Sequence, residues 1–157
     1  SDLPYPKLAL KGLNKIIPKD LNPENKERLT NNFDASITYS RQIGNIYTGS
    51  LYLGLLSLLE QSQDLKAGDK IGFFSYGSGA VSEIFSGRLV KGYKDLLRSD
   101  RLDTFAKRQQ LSVADYEKLF YEEAQLDDTG STHFANYQTG AFRLAEISEH
   151  QRIYKGN

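Results

Sequence analysis

The densest apolar segment of the chain runs over residues 51–59, broken only by Gly54 and Ser57. A helix that is apolar on most faces belongs inside a protein, so this one is expected to be buried. Upstream, Leu8, Leu10, Leu13, Ile16 and Ile17 recur at helical spacing over residues 5–17, and Pro18 closes that helix. Asn22-Pro23 opens a second helix, asparagine suiting the N-cap and proline the first helical position. It is expected to run to about Tyr39, with Leu29, Phe33, Ile37 and Ser40 facing inward. Downstream, residues 64–69 form a polar turn. Ile71-Gly72-Phe73-Phe74 then reads as a short buried strand, with Gly72 allowing close packing. Residues 76–79 turn the chain, and residues 80–90 return as an antiparallel strand.

The pattern becomes polar and helical over residues 91–125. Leu96, Leu97 and Phe105 anchor a short helix, and Ser112-Val113-Ala114-Asp115 opens another through a capping box, with Tyr116, Leu119 and Phe120 behind it. Residues 127–132 form a loop. Phe142, Leu144 and Ile147 alternate with polar neighbours, which predicts a final strand over 139–147. Helices and short strands thus share the chain.

Length and charge narrow the functional classes. The 157 residues are enough for one domain with a sizeable core. Twenty basic and 20 acidic side chains cancel, so no basic excess argues for nucleic acid or an anionic membrane surface. No apolar run is long enough to span a bilayer, and the first residues do not read as a signal peptide. A cytoplasmic protein is the expectation. With no cysteine in the chain, disulfides, thiolate metal sites and thiol nucleophiles are all excluded from it. The two histidines, His133 and His150, are too few for a metal cluster and are expected on the surface. Asp127-Asp128 lacks the spacing of a calcium loop, so no metal site is expected.

Two polar, glycine-rich stretches flank the apolar segment: Gly44-Asn45-Ile46-Tyr47-Thr48-Gly49-Ser50 and Phe74-Ser75-Tyr76-Gly77-Ser78-Gly79. Loops at the ends of buried elements are where rigid sites are built. Read as ordinary structure, both are turns. Read as chemistry, Asn45 at the start of the buried helix either caps it or offers its amide to a carbonyl or an ordered water. Gly77 and Gly79 let backbone approach a ligand, and an N–H at such a bend can serve an oxyanion. Lys7, Lys11 and Lys15 share one helix face, either as a solvated stripe or as partners for phosphate.

Together with Leu3-Pro4-Tyr5-Pro6-Lys7, the Gly-Asn-x-Tyr-Thr-x-Ser and Ile-Gly-x-Phe-Ser-Tyr-Gly-Ser-Gly stretches resemble the C-terminal region of 3-hydroxy-3-methylglutaryl-CoA synthase of the bacterial type. The likeness runs from Leu3 to about Tyr154. It implies an α/β fold, the C-terminal half of a thiolase-like fold with helices packed on a mixed β-sheet, with residues 1–157 forming a single domain and the N-terminal half absent. It also implies an acyltransferase of the mevalonate pathway, expected to be inactive as this fragment alone. Acetyl-CoA acylates a cysteine, the acetyl group condenses with acetoacetyl-CoA, and water releases the product. CoA thioesters are then substrates, no cofactor is needed, and the complete enzyme is a homodimer.

The site residues follow from the same resemblance. Asn45 would contact the acetoacetyl group, the Ser78 backbone would donate to the oxyanion, and Lys7 and Lys11 would approach coenzyme A. The family's nucleophilic cysteine and its acid/base glutamate lie outside this chain. Its catalytic histidine stands two residues before the proline matched by Pro4, where this chain has Asp2. A carboxylate ionised near neutral pH cannot replace a neutral imidazole. Asp2 is compatible with a leftover of cutting or with a true substitution. Two other readings compete: a CoA-binding or structural half without chemistry, and part of a ketoacyl-synthase-like condensing enzyme. Phe-Ser-Tyr-Gly-Ser-Gly argues against the latter.

Overall fold

The computed structural model describes residues 6–77, 79, 81–135 and 140–156. The chain divides into two compact units, Ser1–Arg108 and Gln109–Asn157.

In the first unit, α1 spans Pro6–Ile16, α2 Pro23–Ile43 and α3 Gly49–Gln61. The Asn22 side chain caps α2 by accepting from the Asn25 N–H at 2.8 Å, with Pro23 opening the helix as expected. α2 continues past the expected end at Tyr39, because nothing before Gly44, at φ +84°, breaks it. Its inner face is the expected one at Phe33, Ile37 and Ser40, with Tyr39 added and Leu29 left out. Ile37 and Tyr39 are buried, whereas Leu29 is 39% exposed.

α2 and α3 pack on each other through small residues. A Cβ at Gly54 would stand 3.5 Å from the Ser36 carbonyl, so the helices approach closely there. Next to it, the fully buried Ser57 donates its hydroxyl to the Ala35 carbonyl at 2.6 Å and accepts the Tyr39 N–H at 3.2 Å. Those two backbone groups are the pair that a helix joins four residues apart. α3 is less enclosed than the apolar pattern implied: its buried residues are Ser50 and Ser57, and Tyr52 is 64% exposed.

A polar tie holds the far end of this pair. The Tyr39 hydroxyl donates to Glu60 at 2.6 Å and accepts from the Gln61 amide at 3.1 Å. The other Glu60 oxygen accepts the Arg98 N–H at 3.0 Å and the Arg101 guanidinium at 2.9 Å. The Glu60 side chain is 1% exposed. Burial alone would raise its carboxyl, but these three donors hold it below the usual carboxylate range. Burial, helped by the bond to Glu60, pushes the Tyr39 hydroxyl up to about 12.

The expected hairpin is present, with β1 over Lys70–Tyr76 pairing antiparallel with β2 over Ser82–Arg88. Gly77 N–H closes the turn on the Val81 carbonyl at 2.9 Å, and Phe73 stacks on Phe85 across the ladder at 4.8 Å. Close packing at Gly72 is not found: a Cβ there would meet nothing within 4 Å. A 3-10 turn at Tyr93–Leu96 and α4 at Arg101–Ala106 follow. Tyr93 donates to the Leu65 carbonyl at 2.9 Å. Phe105 meets the Tyr39 ring edge-on, whereas Leu96 is 84% exposed and anchors nothing.

In the second unit, α5 spans Val113–Tyr121. Ser112 caps it by accepting the Asp115 N–H at 3.1 Å, while its hydroxyl donates to the Asp115 carboxylate at 2.6 Å. The reciprocal bond thus runs side chain to side chain. Strands β3 at Thr132–His133, β4 at Phe142–Ser148 and β5 at Gln151–Gly156 form one antiparallel sheet in that order. The strand expected last is therefore followed by another. Glu149 and His150 both adopt positive φ between β4 and β5, the geometry of a tight hairpin turn. No glycine or asparagine marks that turn, so the pattern does not show it.

Both sheets are antiparallel among the described residues, where a mixed sheet was expected. Short hairpin connections enforce that direction; a parallel pair needs a long crossover. Among the described residues no helix is long and apolar enough to cross a membrane.

Candidate active site

Residues 44–50 form a closed knot rather than a simple cap. α3 begins at Gly49, with Thr48 as N-cap and no side-chain bond to the helix end. Asn45 therefore stands ahead of the helix and not at its start, where it was expected, and of the two readings the cap falls away. The Asn45 Oδ1 accepts the Tyr47 N–H at 2.8 Å and the Ser50 hydroxyl at 3.5 Å. The bond from Tyr47 sets the amide orientation and the longer Ser50 contact agrees with it: the oxygen turns inward and Nδ2 outward. Among the described residues Nδ2 has no partner, and Asn45 is exposed. Two N–H donors are left for a ligand.

The rest of the knot is tightly specified. The Gly49 N–H donates to the Ile46 carbonyl at 3.1 Å, and the Ser50 N–H to that of Tyr47 at 2.8 Å. A Cβ at Gly49 would stand 3.0 Å from Ile46 Cδ1. Tyr47 takes φ +53° and is 78% exposed.

The two motifs share one recess. Thr48 of the first and Ser75 of the second line a depression of about 330 Å³ with Leu51, Tyr52, Glu83 and Phe85. Sequence reasoning missed Glu83 and Phe85, since a fully exposed strand carries no inward pattern. A second cavity of about 310 Å³ lies between α1, α2, α3 and the hairpin. Its wall is apolar, contributed by residues such as Leu13, Phe33, Leu55 and Phe74.

Lys7 and Lys11 are exposed on α1 and have no hydrogen-bond or ion-pair partner among the described residues. Ala9 and Leu13 face the apolar cavity. Residues two apart on a helix point to opposite sides, so the lysine stripe faces away from it. Asp2 and Ser78 lie outside the described residues.

In the second unit, His133 Nδ1 lies 2.9 Å from Glu146 at 85% side-chain exposure. The His150 ring packs on Gly130. Asp127 Oδ1 accepts from the Thr129 hydroxyl and N–H and from the Ser131 N–H. The bonds from Thr129 and Ser131 hold its carboxyl below the usual range. That carboxylate organises its own loop, and no group of residues suited to a metal ion occurs among the described residues.

Residues 7–156 match the family model described as hydroxymethylglutaryl-coenzyme A synthase C terminal, and the chain belongs to that family. A hydroxymethylglutaryl-CoA synthase of Enterococcus faecalis is 48% identical over 126 residues, covering 80% of this chain and 33% of that protein. The mitochondrial synthase of Rattus norvegicus is 33% identical, covering 93% of the chain and 33% of its own length. A crystal structure of an HMG-CoA synthase complexed with CoA superposes with a TM-score of 0.84 at 64% identity, covering 99% of this chain and 40% of that one. A Streptococcus mutans protein gives 0.81 at 61%. The chain thus spans about a third of the length of these curated relatives. The α/β fold expected for such a C-terminal region is the fold of these neighbours.

Proposed function

We propose that this chain supplies part of the active site of a cytoplasmic hydroxymethylglutaryl-CoA synthase, which condenses acetyl-CoA with acetoacetyl-CoA. The observation that carries this reading is the Asn45 amide, oriented by two bonds to its oxygen and open at its nitrogen. A fixed donor in that state suits a thioester carbonyl, and its worth grows as negative charge develops on the carbonyl oxygen. The neighbouring recess joins both motifs and gives the acyl group a place. Lys7 and Lys11, cations without a partner among the described residues, meet the phosphates of the CoA moiety.

The chain contains no thiol, so the acyl-carrying cysteine comes from elsewhere in a longer protein, in a partner region of the same enzyme. Ser78 is proposed as the backbone donor to the oxyanion. Residues 1–157 then act together as the C-terminal part, in an enzyme proposed to be a homodimer.

Thiol release from acetyl-CoA plus acetoacetyl-CoA tests the reading. The full-length protein carrying this sequence should release CoA, and the 157-residue chain alone should not. Asn45→Ala should lower kcat about a hundredfold or more, the worth of one such donor, while the loss of an acceptor for the Tyr47 N–H and the Ser50 hydroxyl lowers the melting temperature by far less than would unfold the protein. A full-length protein that releases no CoA overturns the proposal.

A further inference from the structure

We propose that Ser50 is a positioning residue whose buried hydroxyl aims the Asn45 amide at the substrate. This rests on the reading of Asn45 as a donor. Ser50 is 5% exposed, and a polar side chain that deep needs partners. It finds them behind itself in the chain. Its oxygen accepts the Ile46 N–H at 3.2 Å, and its proton goes to Asn45 Oδ1 at 3.5 Å.

A capping role does not account for this geometry. The N-cap of α3 is Thr48, and Ser50 lies inside the helix. A cap serine accepts from N–H groups two or three residues ahead of it, whereas this one reaches back four and five residues. Its bonds secure the segment that precedes the helix, where Tyr47 holds a positive φ against the ordinary preference of a bulky residue.

Without the hydroxyl, the Ile46 N–H loses its partner and Asn45 Oδ1 keeps only the Tyr47 N–H. The amide then turns more freely about its last torsion, which is intrinsically broad. Part of the time it would present oxygen instead of nitrogen to a carbonyl, an arrangement that repels.

The test uses the full-length protein with Ser50→Ala, Asn45→Ala and the double variant. Ser50→Ala should lower kcat about tenfold, a fraction of what a whole donor is worth, with KM for acetoacetyl-CoA within about twofold. In the Asn45→Ala background the same change should cost nothing further, because Ser50 acts through Asn45. Ser50→Cys, of similar size but a weaker hydrogen-bonding group, should fall between serine and alanine and serves if the alanine variant folds poorly.

A second readout does not depend on turnover. The NMR signals of the Asn45 side-chain amide, whose two protons stay distinct through the partial double bond of the C–N link, should show the high order parameter of a fixed group in the wild type and fall toward that of a mobile side chain, with altered shifts, in Ser50→Ala. A wild type that releases no CoA sinks the functional reading, and these signals then still decide the positioning. Unchanged Asn45 signals, or losses in kcat that multiply in the double variant, overturn the proposal for Ser50.

Discussion

Tyr39→Phe removes one oxygen atom from the tie between α2, α3 and residues 98–101, and its cost can be worked from the geometry. The ring stays, so no cavity opens and the edge-on contact with Phe105 survives. What is lost is a 2.6 Å bond to an ionised, buried carboxylate and a 3.1 Å bond from the half-exposed Gln61 amide, which water can replace. Hydrogen bonds to charged groups contribute about 1.5–3 kcal/mol, and the phenyl ring avoids desolvating a hydroxyl, so the net loss should be about 2 kcal/mol. For a chain of this length that corresponds to a fall in Tm of about 6 °C.

Urea unfolding of the 157-residue chain reads this as a lower midpoint at unchanged slope. The difference should also depend on pH. The folded pKa of Glu60 lies below its ordinary value of 4.5, so its contribution is complete above that value and is lost as pH falls through the depressed one. The Tyr39→Phe change removes one of the donors that depress it, and the gap between wild type and variant should narrow as pH falls from 4.5 through the depressed value. The Tyr39 hydroxyl, raised from 10.0 to about 12, stabilises fully below pH 10, and that part is lost as pH rises through 12. The wild-type advantage should therefore be widest between these limits. A loss under about 0.5 kcal/mol, or one that shrinks neither as pH falls well below 4.5 nor as it rises from 10 toward 12, refutes the reasoning.

Ser57 allows a sharper comparison on the same chain. Ser57→Ala leaves the Tyr39 N–H and the Ala35 carbonyl to bond to each other alone, as in any helix, and should cost about 1 kcal/mol. Ser57→Val presses methyls on both groups without satisfying either and should cost about 3 kcal/mol by urea unfolding. Gly130→Ala combines a φ of +75° with a Cβ forced into the His150 ring, and should cost about 2 kcal/mol. Hydrogen exchange should place that loss within residues 109–157.

The elements were legible where local chemistry is strong. Asn22-Pro23 marked the start of α2, Ser112 that of α5, and the glycines after Tyr76 the hairpin. The end of α2 was not legible, because no breaker stands before Gly44. The turn at Glu149-His150 was hidden because ordinary residues adopt positive φ there under tertiary constraint. Asn45 stands out through its motif, yet not at the expected place: Thr48 and Gly49, not Asn45, begin the helix. Ser50 and Ser57 looked like interruptions of an apolar run. Their partners lie on another turn or another helix, and periodicity does not report hydroxyls that bond to backbone. Glu60 gave no sign of being buried, since its donors come from residues 21, 38 and 41 positions away.

The bridging hydroxyl of Ser57 also bears on the order of folding. An isolated helix gains stability as each turn completes the one before it. In α2, the turn from Ala35 to Tyr39 accommodates a group that belongs to α3, so its native form exists only once the second helix has docked. The two helices should then form and dissolve as one cooperative block, with the Gly44–Thr48 link as an intramolecular tether. Slow opening of α2 and α3 should be a shared event, and the knot that holds Asn45 inherits its rigidity from both.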